Sequence, residues 1–177
     1  MIKKVLQQPW FLKLMANAYV PYIGAGVKIK KVSIEEGVVE VHMPLTKLNR
    51  NFVGTQFGGS LYSMVDPFFM LLLIYKLGPA YVVWDKAASI DFVSPGEGRV
   101  KAVMRISNEE VETIRTLASD NKPVLRTYQV DIMADNGNVV AKVEKVLYIR
   151  LKPKKVDKTK ADKTDETRTG ETKADKN

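Results

Sequence analysis

Residues 58 to 77 read GGSLYSMVDPFFMLLLIYKL, and this segment decides the predicted fold. As a helix it is apolar on almost every side, and Gly78-Pro79 then provides a helix stop. A helix of this kind must be covered on nearly every side. Its longest apolar run, Pro67 to Tyr75, is well short of the roughly 20 residues that span a bilayer. We therefore predict a buried central helix and no transmembrane segment.

On both sides of this segment apolar residues alternate with polar ones, which is the period of a strand. Before it, segments 27–34 and 38–43 are joined by Glu35-Glu36-Gly37 and predict a hairpin. After it, strand-like alternation marks residues 88–92, 100–106, 124–134 and 139–151. Strands joined as hairpins predict an antiparallel sheet. We expect an α+β protein in which a curved antiparallel sheet wraps around the central helix, which is the hotdog fold.

The first predicted helix opens at Pro9 and has one apolar face, formed by Trp10, Phe11, Leu14 and Met15. We expect this face to pack on the sheet. The alternative is a helix that lies on a membrane surface, for which Lys13 alone supplies little of the usual cationic face. The charged start of the chain resembles a signal peptide, but residues 7–9 and Lys13 interrupt the apolar stretch that export requires.

The composition limits the kinds of site that the chain can form. It has 177 residues and no cysteine, which excludes disulfides, thiol nucleophiles and thiolate metal sites. The one histidine, His42, falls in an alternating run and is expected on the polar face of a strand, because metal sites need several converging ligands. We predict no metal and no cofactor. The absence of cysteine fits a reducing compartment, and we expect a cytoplasmic protein.

The charge is unevenly spread along the chain. Residues 152–177 hold nine basic and six acidic residues, which leaves +5 of the net charge of +8 on residues 1–151. The tail has no aromatic residue and repeats the pentamer TKADK, so we predict that it is disordered. We expect one hotdog domain with its N-terminal helix over residues 1–151. The modest excess of charge and the absence of a recognition motif predict no nucleic-acid partner.

The start of the central helix carries the candidate chemistry. Gly58 and Gly59 place first-turn N–H groups, which have no intrahelical partner, where they can cradle an oxyanion. Ser63 and Asp66 share a stripe of the helix with Gly59. A carboxylate is costly on an apolar helix, and such residues are often functional. Asp66 is therefore a candidate to activate water or to attack a thioester carbon itself.

A structural role explains Asp66 equally well at this stage. Asp66-Pro67 forms an N-cap and first helical residue, and Lys76 with Gly78 would end a ten-residue helix. If the helix instead continues through Pro67, the proline frees the carbonyl of Ser63 and bends the helix beside the proposed site.

The spacing Asn51-x-x-Gly-Thr-x-x-Gly-Gly, followed by Asp66 and by Ser94-Pro95 after the next strand, resembles that of known enzymes. Over residues 10–151 the chain resembles hotdog-fold acyl-CoA thioesterases of the phenylacetyl-CoA thioesterase type. The resemblance implies that Asp66 is base or nucleophile, that the Gly58 amide polarises the thioester carbonyl, and that Asn51 helps to place water or substrate. It also implies a set of substrate-binding residues: Thr55, Gln56, Phe57, Gly59 and Ser63.

The resemblance further implies a site formed between two protomers, in a dimer or a dimer of dimers, and an acyl-CoA or acyl-carrier thioester as substrate. The related enzymes commonly have histidine where this chain has Phe57. A strand-borne polar partner of the carboxylate would be Asp85 or Ser89. Candidates to pair with CoA phosphates are Lys86, Arg99 and Lys101.

Two functions of different kinds follow. The first is hydrolysis of an acyl thioester. The second is a non-catalytic hotdog module that binds acyl-CoA, a fatty acyl group or a protein partner, for which Phe57 and a capping role of Asp66 are the reasons. A hotdog dehydratase would use a histidine with a carboxylate, and His42 is not on the central helix.

Overall fold

The computed structural model of the chain describes residues 8–153. The predictions for residues 1–7, and for nearly all of the tail at 152–177, therefore lie outside the described residues.

Six antiparallel strands form one sheet, in the order β1-β2-β4-β5-β6-β3. The strands are β1 (Lys28–Ser33), β2 (Val38–Met43), β3 (Tyr81–Phe92), β4 (Val100–Arg105), β5 (Val124–Ala134) and β6 (Val139–Leu151). The prediction of an antiparallel sheet is confirmed. The main difference is in β3, which begins at Tyr81 instead of residue 88 and is 12 residues long.

The helices are α1 (Pro9–Asn17), α2 (Val20–Ala25), α3 (Gly58–Ser63), α4 (Phe68–Leu77) and α5 (Asn108–Leu117). The short helix α2 was not predicted. Helix α5 begins after a capping serine, because the hydroxyl of Ser107 accepts the backbone N–H of Glu110 at 3.1 Å.

The central segment is two helices, α3 and α4, separated by a turn at residues 64–67. The break occurs at Pro67, whose missing N–H cannot bond to the carbonyl of Ser63. Helix α4 fills the core with side chains that contact the enclosing sheet: Phe68, Phe69, Leu72, Leu73 and Leu77. The prediction of one continuous helix is therefore wrong in detail, while the buried core helix is confirmed.

By length and composition alone, residues 58–77 would pass as a membrane span, with a mean hydropathy of 1.3. Half of that stretch is buried inside the protein, and core helices meet the same criterion. The packing of α4 under the sheet accounts for its apolar character.

Helix α1 covers one edge of the sheet. The Asn17 side chain accepts the N–H of Ile29 at 2.8 Å and donates to its carbonyl at 3.2 Å, in place of a neighbouring strand. Trp10, Leu14 and Met15 are 60%, 57% and 53% exposed. The expectation that these three pack on the sheet is wrong, because α1 contacts β1 through another face.

Candidate functional site

Asp66 lies in the turn between α3 and α4, at the surface of the core. The residue before α4 is Pro67, and no side chain caps the N-terminus of that helix. The Asp66 carboxylate instead pairs with the ammonium of Lys145, with Nζ 2.7 Å from Oδ1. The capping alternative is therefore wrong: Asp66 makes an ion pair with a residue of β6.

Lys145 is fully buried, which is rare for a lysine. Its Nζ lies 2.7 Å from Asp66, 3.0 Å from the hydroxyl of Tyr62 and 3.2 Å from Oδ2 of Asp85. An ammonium has three N–H groups, and here it has three oxygens close enough to receive them. We call these four residues, Tyr62, Asp66, Asp85 and Lys145, the Asp66–Lys145 cluster.

Strand β3 supplies Asp85 beside a β-bulge. The register against β6 shifts between Asp85 and Ala87, so Lys86 is the extra residue. Of the two strand-borne partners considered from the sequence, Asp85 joins the cluster and Ser89 is exposed. The link from Asp66 to Asp85 runs through Lys145. Oδ1 of Asp85 is buried and has no hydrogen-bond partner among the described residues.

The charges of the cluster shift the acidity of its members. Burial alone would lower the pKa of Lys145, but hydrogen bonds to Asp66 and Tyr62 and the charges of Asp66 and Asp85 raise it overall. Burial raises the pKa of Asp85, and Lys145 opposes this only in part. Burial, together with the hydrogen bond to Asp66, raises the pKa of Tyr62. Lys145 is therefore a buried cation near neutral pH.

A groove of about 490 Å³ lies at the N-terminus of α3, and we call it the Gly58 groove. Of the predicted site residues, it is lined by Asn51, Thr55, Gln56 and Gly58. Gly58 is the first residue of α3, and within the described part of the chain neither its N–H nor that of Gly59 has an acceptor. The ring of Phe92 would lie 2.8 Å from a Cβ at Gly58, so only glycine fits here without a shift.

Asn51 holds the loop beside the groove in shape. Its Oδ1 accepts the N–H groups of Val53 and Thr55 at 3.1 and 3.0 Å, and its Nδ2 donates to the Thr55 hydroxyl at 2.9 Å. Both ends of the amide are thus used within the loop. The structure places Asn51 at the groove, and its side chain positions Thr55.

The predicted binding residues differ in their surroundings. Gln56 lines the groove but is buried, and its side chain donates to the carbonyls of Met43 and Gly98 at 3.2 and 3.0 Å. Phe57 is exposed, and its ring lies against Gly59. The Ser63 hydroxyl donates to a backbone carbonyl one turn earlier. Phe57, Gly59, Ser63 and Asp66 do not line the Gly58 groove.

Cations near the groove differ from those expected. Arg99 pairs with Asp135 at 3.0 Å, and Lys101 lies on β4 beside β5. In contrast, Lys47 and Arg50 line a surface depression together with Phe52 and Phe57, next to the Asn51 loop. Neither forms an ion pair within residues 8–153.

A family model described as a domain of unknown function, DUF4442, matches residues 8–149. The chain belongs to this family. A comparison with curated proteins finds no match.

Solved structures of other proteins share the fold. A protein of unknown function from Pseudomonas aeruginosa, named a probable thioesterase, superposes with a TM-score of 0.70 at 17% identity, over 81% of this chain and 96% of that chain. A thioesterase from Haemophilus influenzae gives 0.60 at 14%, over 81% and 91%. A protein of unknown function from Chlorobaculum tepidum gives 0.64 at 19%, over 80% and 93%. These likenesses establish that this DUF4442 domain has the hotdog fold.

Sequence reasoning missed Lys145 and Tyr62. The signal for Lys145 was present: in β6 the inward positions are Ala141, Val143, Lys145, Leu147 and Ile149, and one of them is charged. A lysine at a core position of an alternating strand needs an acidic partner. That partner is Asp66, which is 79 residues away in sequence and contacts Lys145 only in the folded chain.

Within residues 8–153, no group of three or more histidine and acidic side chains is placed to hold a metal ion. His42 bonds to Glu40 at 2.6 Å on β2, away from the cluster.

Proposed function

We propose that this DUF4442 domain hydrolyses acyl thioesters. The observation that carries the proposal is Asp66, a carboxylate that is 44% exposed and backed by a buried ammonium. A carboxylate held in this way is directed outward, where it can act on water or on a carbonyl carbon. The thioesterase-like hotdog structures that resemble the chain support the same class of substrate.

The reaction needs two functions from the protein. Asp66 takes a proton from water as the oxygen adds to the thioester carbonyl, or adds to that carbon itself. The Gly58 N–H receives the negative charge that develops on the carbonyl oxygen, assisted by the first turn of α3. When water is the nucleophile, collapse of the tetrahedral adduct breaks the C–S bond, and the leaving thiolate takes the proton held by Asp66. When Asp66 is the nucleophile, collapse leaves an acyl–Asp66 anhydride and a thiolate, and water then hydrolyses the anhydride, which frees Asp66 and supplies the proton of the thiol. On either route the products are a carboxylic acid and a free thiol.

In one copy of the chain, Asp66 does not line the Gly58 groove. It lies in the turn at residues 64–67, beyond the C-terminal end of α3. We propose that the Gly58 groove of one protomer faces the Asp66–Lys145 cluster of a second protomer.

The outer edge of β3 is the surface that we propose for this pairing. β3 ends the sheet, and no strand pairs with its outer side within the described residues. Such an edge offers unpaired N–H and carbonyl groups to another chain. Exposed apolar side chains lie on β3, just after it or near the Gly58 groove: Val53, Phe57, Trp84, Phe92 and Val93. A second copy would cover them, since exposed apolar patches commonly mark interfaces.

We propose that the thiol carrier bears phosphate. Lys47 and Arg50, which form no ion pair with the described residues, lie beside the loop that forms one wall of the Gly58 groove. Guanidinium and ammonium groups are the usual protein partners of phosphate. CoA and a phosphopantetheine carrier both fit this chemistry.

Thiol release from a panel of short, medium and long acyl-CoAs tests the proposal. The wild type is expected to release thiol from at least one chain length, and Asp66→Asn is expected to abolish it. Asp131→Asn, which changes an exposed carboxylate of β5 outside both the cluster and the proposed interface, is the control and should retain activity. Absence of turnover at every chain length would refute the proposal.

A non-catalytic thioester-binding module is the second candidate. It is favoured by the Asn51 amide, both ends of which bond within its own loop, and by Phe57 at the helix start. Such a module would bind a non-hydrolysable thioether analogue of acyl-CoA with the same affinity in the wild type and in Asp66→Asn. Turnover by the wild type rules it out.

A further inference from the structure

Lys145 occupies a core-facing position of β6, where an apolar residue is expected. Its neighbours on the same face of β6, Val143 and Leu147, are fully buried, and so is Lys145. A buried ammonium is costly, and replacing a buried ion pair by apolar residues is often neutral or stabilising. Packing alone therefore does not account for a lysine at this position.

The ammonium itself has no capacity to bind a ligand. Its three N–H groups have oxygens of Asp66, Tyr62 and Asp85 within 2.7, 3.0 and 3.2 Å, and its side chain has no exposed surface. Any effect of Lys145 on bound substrate must pass through one of these three residues.

The exposed fractions of the three charged side chains show which of them can reach a substrate. Lys145 is 0% exposed, Asp85 26% and Asp66 44%. The ammonium lies behind the two carboxylates, and Asp66 is the one that reaches solvent furthest. The hydrogen bond from Lys145 engages Oδ1 of Asp66 at 2.7 Å, on the buried side of the carboxylate.

We propose that Lys145 is a positioning residue: it fixes the orientation of the Asp66 carboxylate for thioester hydrolysis. This inference rests on the proposed function. The groups that face Asp66 are Tyr62 on its own segment, Tyr22 from α2, and Asp85 and Lys145 from the sheet. Lys145 is the one cation among them. Without it, Asp66 has a second carboxylate, Asp85, as its charged neighbour, and like charges repel.

Lys145→Met tests this directly, because methionine keeps a long unbranched side chain and removes the charge. We expect kcat to fall about 10- to 100-fold with little change in KM, since the acid–base contribution of a positioned group is of that order. Lys145→Gln retains an N–H donor without the charge, so it should recover part of the kcat that Lys145→Met loses, again with little change in KM.

Lys142→Met is the matched control, because Lys142 is an exposed lysine on the same strand. It should leave kcat and KM unchanged. A purely structural role of Lys145 would lower the stability of Lys145→Met and leave the kcat of the folded protein at the wild-type value. A wild-type kcat in folded Lys145→Met, or a loss in Lys145→Gln as large as in Lys145→Met, would overturn the inference. The same conclusion follows if neither variant folds, because the role is then structural.

Failure of the proposed function is distinguishable from failure of this inference. If the wild type hydrolyses no thioester, the orientation of the Asp66 side chain can be compared in crystal structures of the wild type and of Lys145→Met. The inference expects one ordered orientation of the carboxylate in the wild type and a different or disordered one in the variant. The same ordered orientation in the two proteins overturns it.

Discussion

Asparagine in place of Asp66 is expected to lower the free energy of unfolding by about 1–3 kcal/mol. Removing one partner from a buried ion pair costs about 3–5 kcal/mol, because the other charge stays buried. Here Asp66 is 44% exposed, and Lys145 keeps Asp85 at 3.2 Å, so the cost should be about half of that or less. The change also leaves one N–H of Lys145 with a weaker, neutral acceptor.

The size of the stability loss in Asp66→Asn distinguishes an ion pair from a capping role. Asparagine caps a helix about as well as aspartate, so a capping Asp66 would tolerate this change with almost no loss. Urea unfolding at pH 7 measures the difference, and an unchanged slope would locate the effect in stability. In thermal unfolding, each kcal/mol corresponds to roughly 2–4 °C for a domain of this size.

A double-mutant cycle with Lys145→Met completes the test. Each single change leaves a charge without its main partner, whereas the double variant leaves neither. The double variant should therefore lose less stability than the two single variants together, by about 1–2 kcal/mol. Additive losses, or an Asp66→Asn protein as stable as the wild type, would refute the ion-pair account.

Three further predictions concern other parts of the chain. Gly58→Ala adds a Cβ against Phe92 but keeps the backbone N–H. Gly58→Pro also removes that N–H, at the first helical position, where proline is tolerated. The proline variant should therefore have a kcat about 10²- to 10³-fold below that of the alanine variant. Arg50→Gln should raise KM for acyl-CoA several-fold with kcat retained, and should leave KM for an acyl-pantetheine without the nucleotide unchanged. Burial raises the pKa of Glu110, but hydrogen bonds from Arg126 and Tyr128 hold that pKa below its usual value overall. The ionised Glu110 therefore stabilises the fold above pH about 4.5, and this stabilisation is lost as the pH falls through the lowered pKa. Glu110→Gln should therefore cost about 1 kcal/mol at pH 7 and flatten the acid side of the stability curve in urea unfolding from pH 7 to 3.

The parts of the fold that local sequence determines were predictable. The alternation of β1 and β2, with Gly37 at a positive φ of 66° between them, gives the hairpin directly. The break at Pro67 was recognisable as a possibility, because proline lacks the N–H that a continuous helix needs. Which of the two helical descriptions holds depends on packing around residues 64–67, and the apolar pattern does not contain that information.

The candidate site was predictable only in part. Within the motif at residues 51–59, local chain geometry places Asn51, Thr55, Gln56 and Gly58 around one groove. The partner of Asp66 was not predictable: the alternation of β6 marks Lys145 as a charge at a core position, but it does not say which acidic residue, distant in sequence, pairs with it. The exposure of Trp10 and Leu14 was likewise not predictable, since the sequence of an apolar helix face does not specify what covers it.

Mixing two inactive variants tests most directly whether two copies share the site. In a dimer of Asp66→Asn with Gly58→Pro, one site combines the intact Gly58 amide of the first chain with the intact Asp66 of the second. An equal mixture, exchanged by unfolding and refolding together, should then recover up to about a quarter of the wild-type thiol release, because half of the dimers are mixed and each has one intact site. A mixture with no more activity than the two variants measured separately would contradict the account.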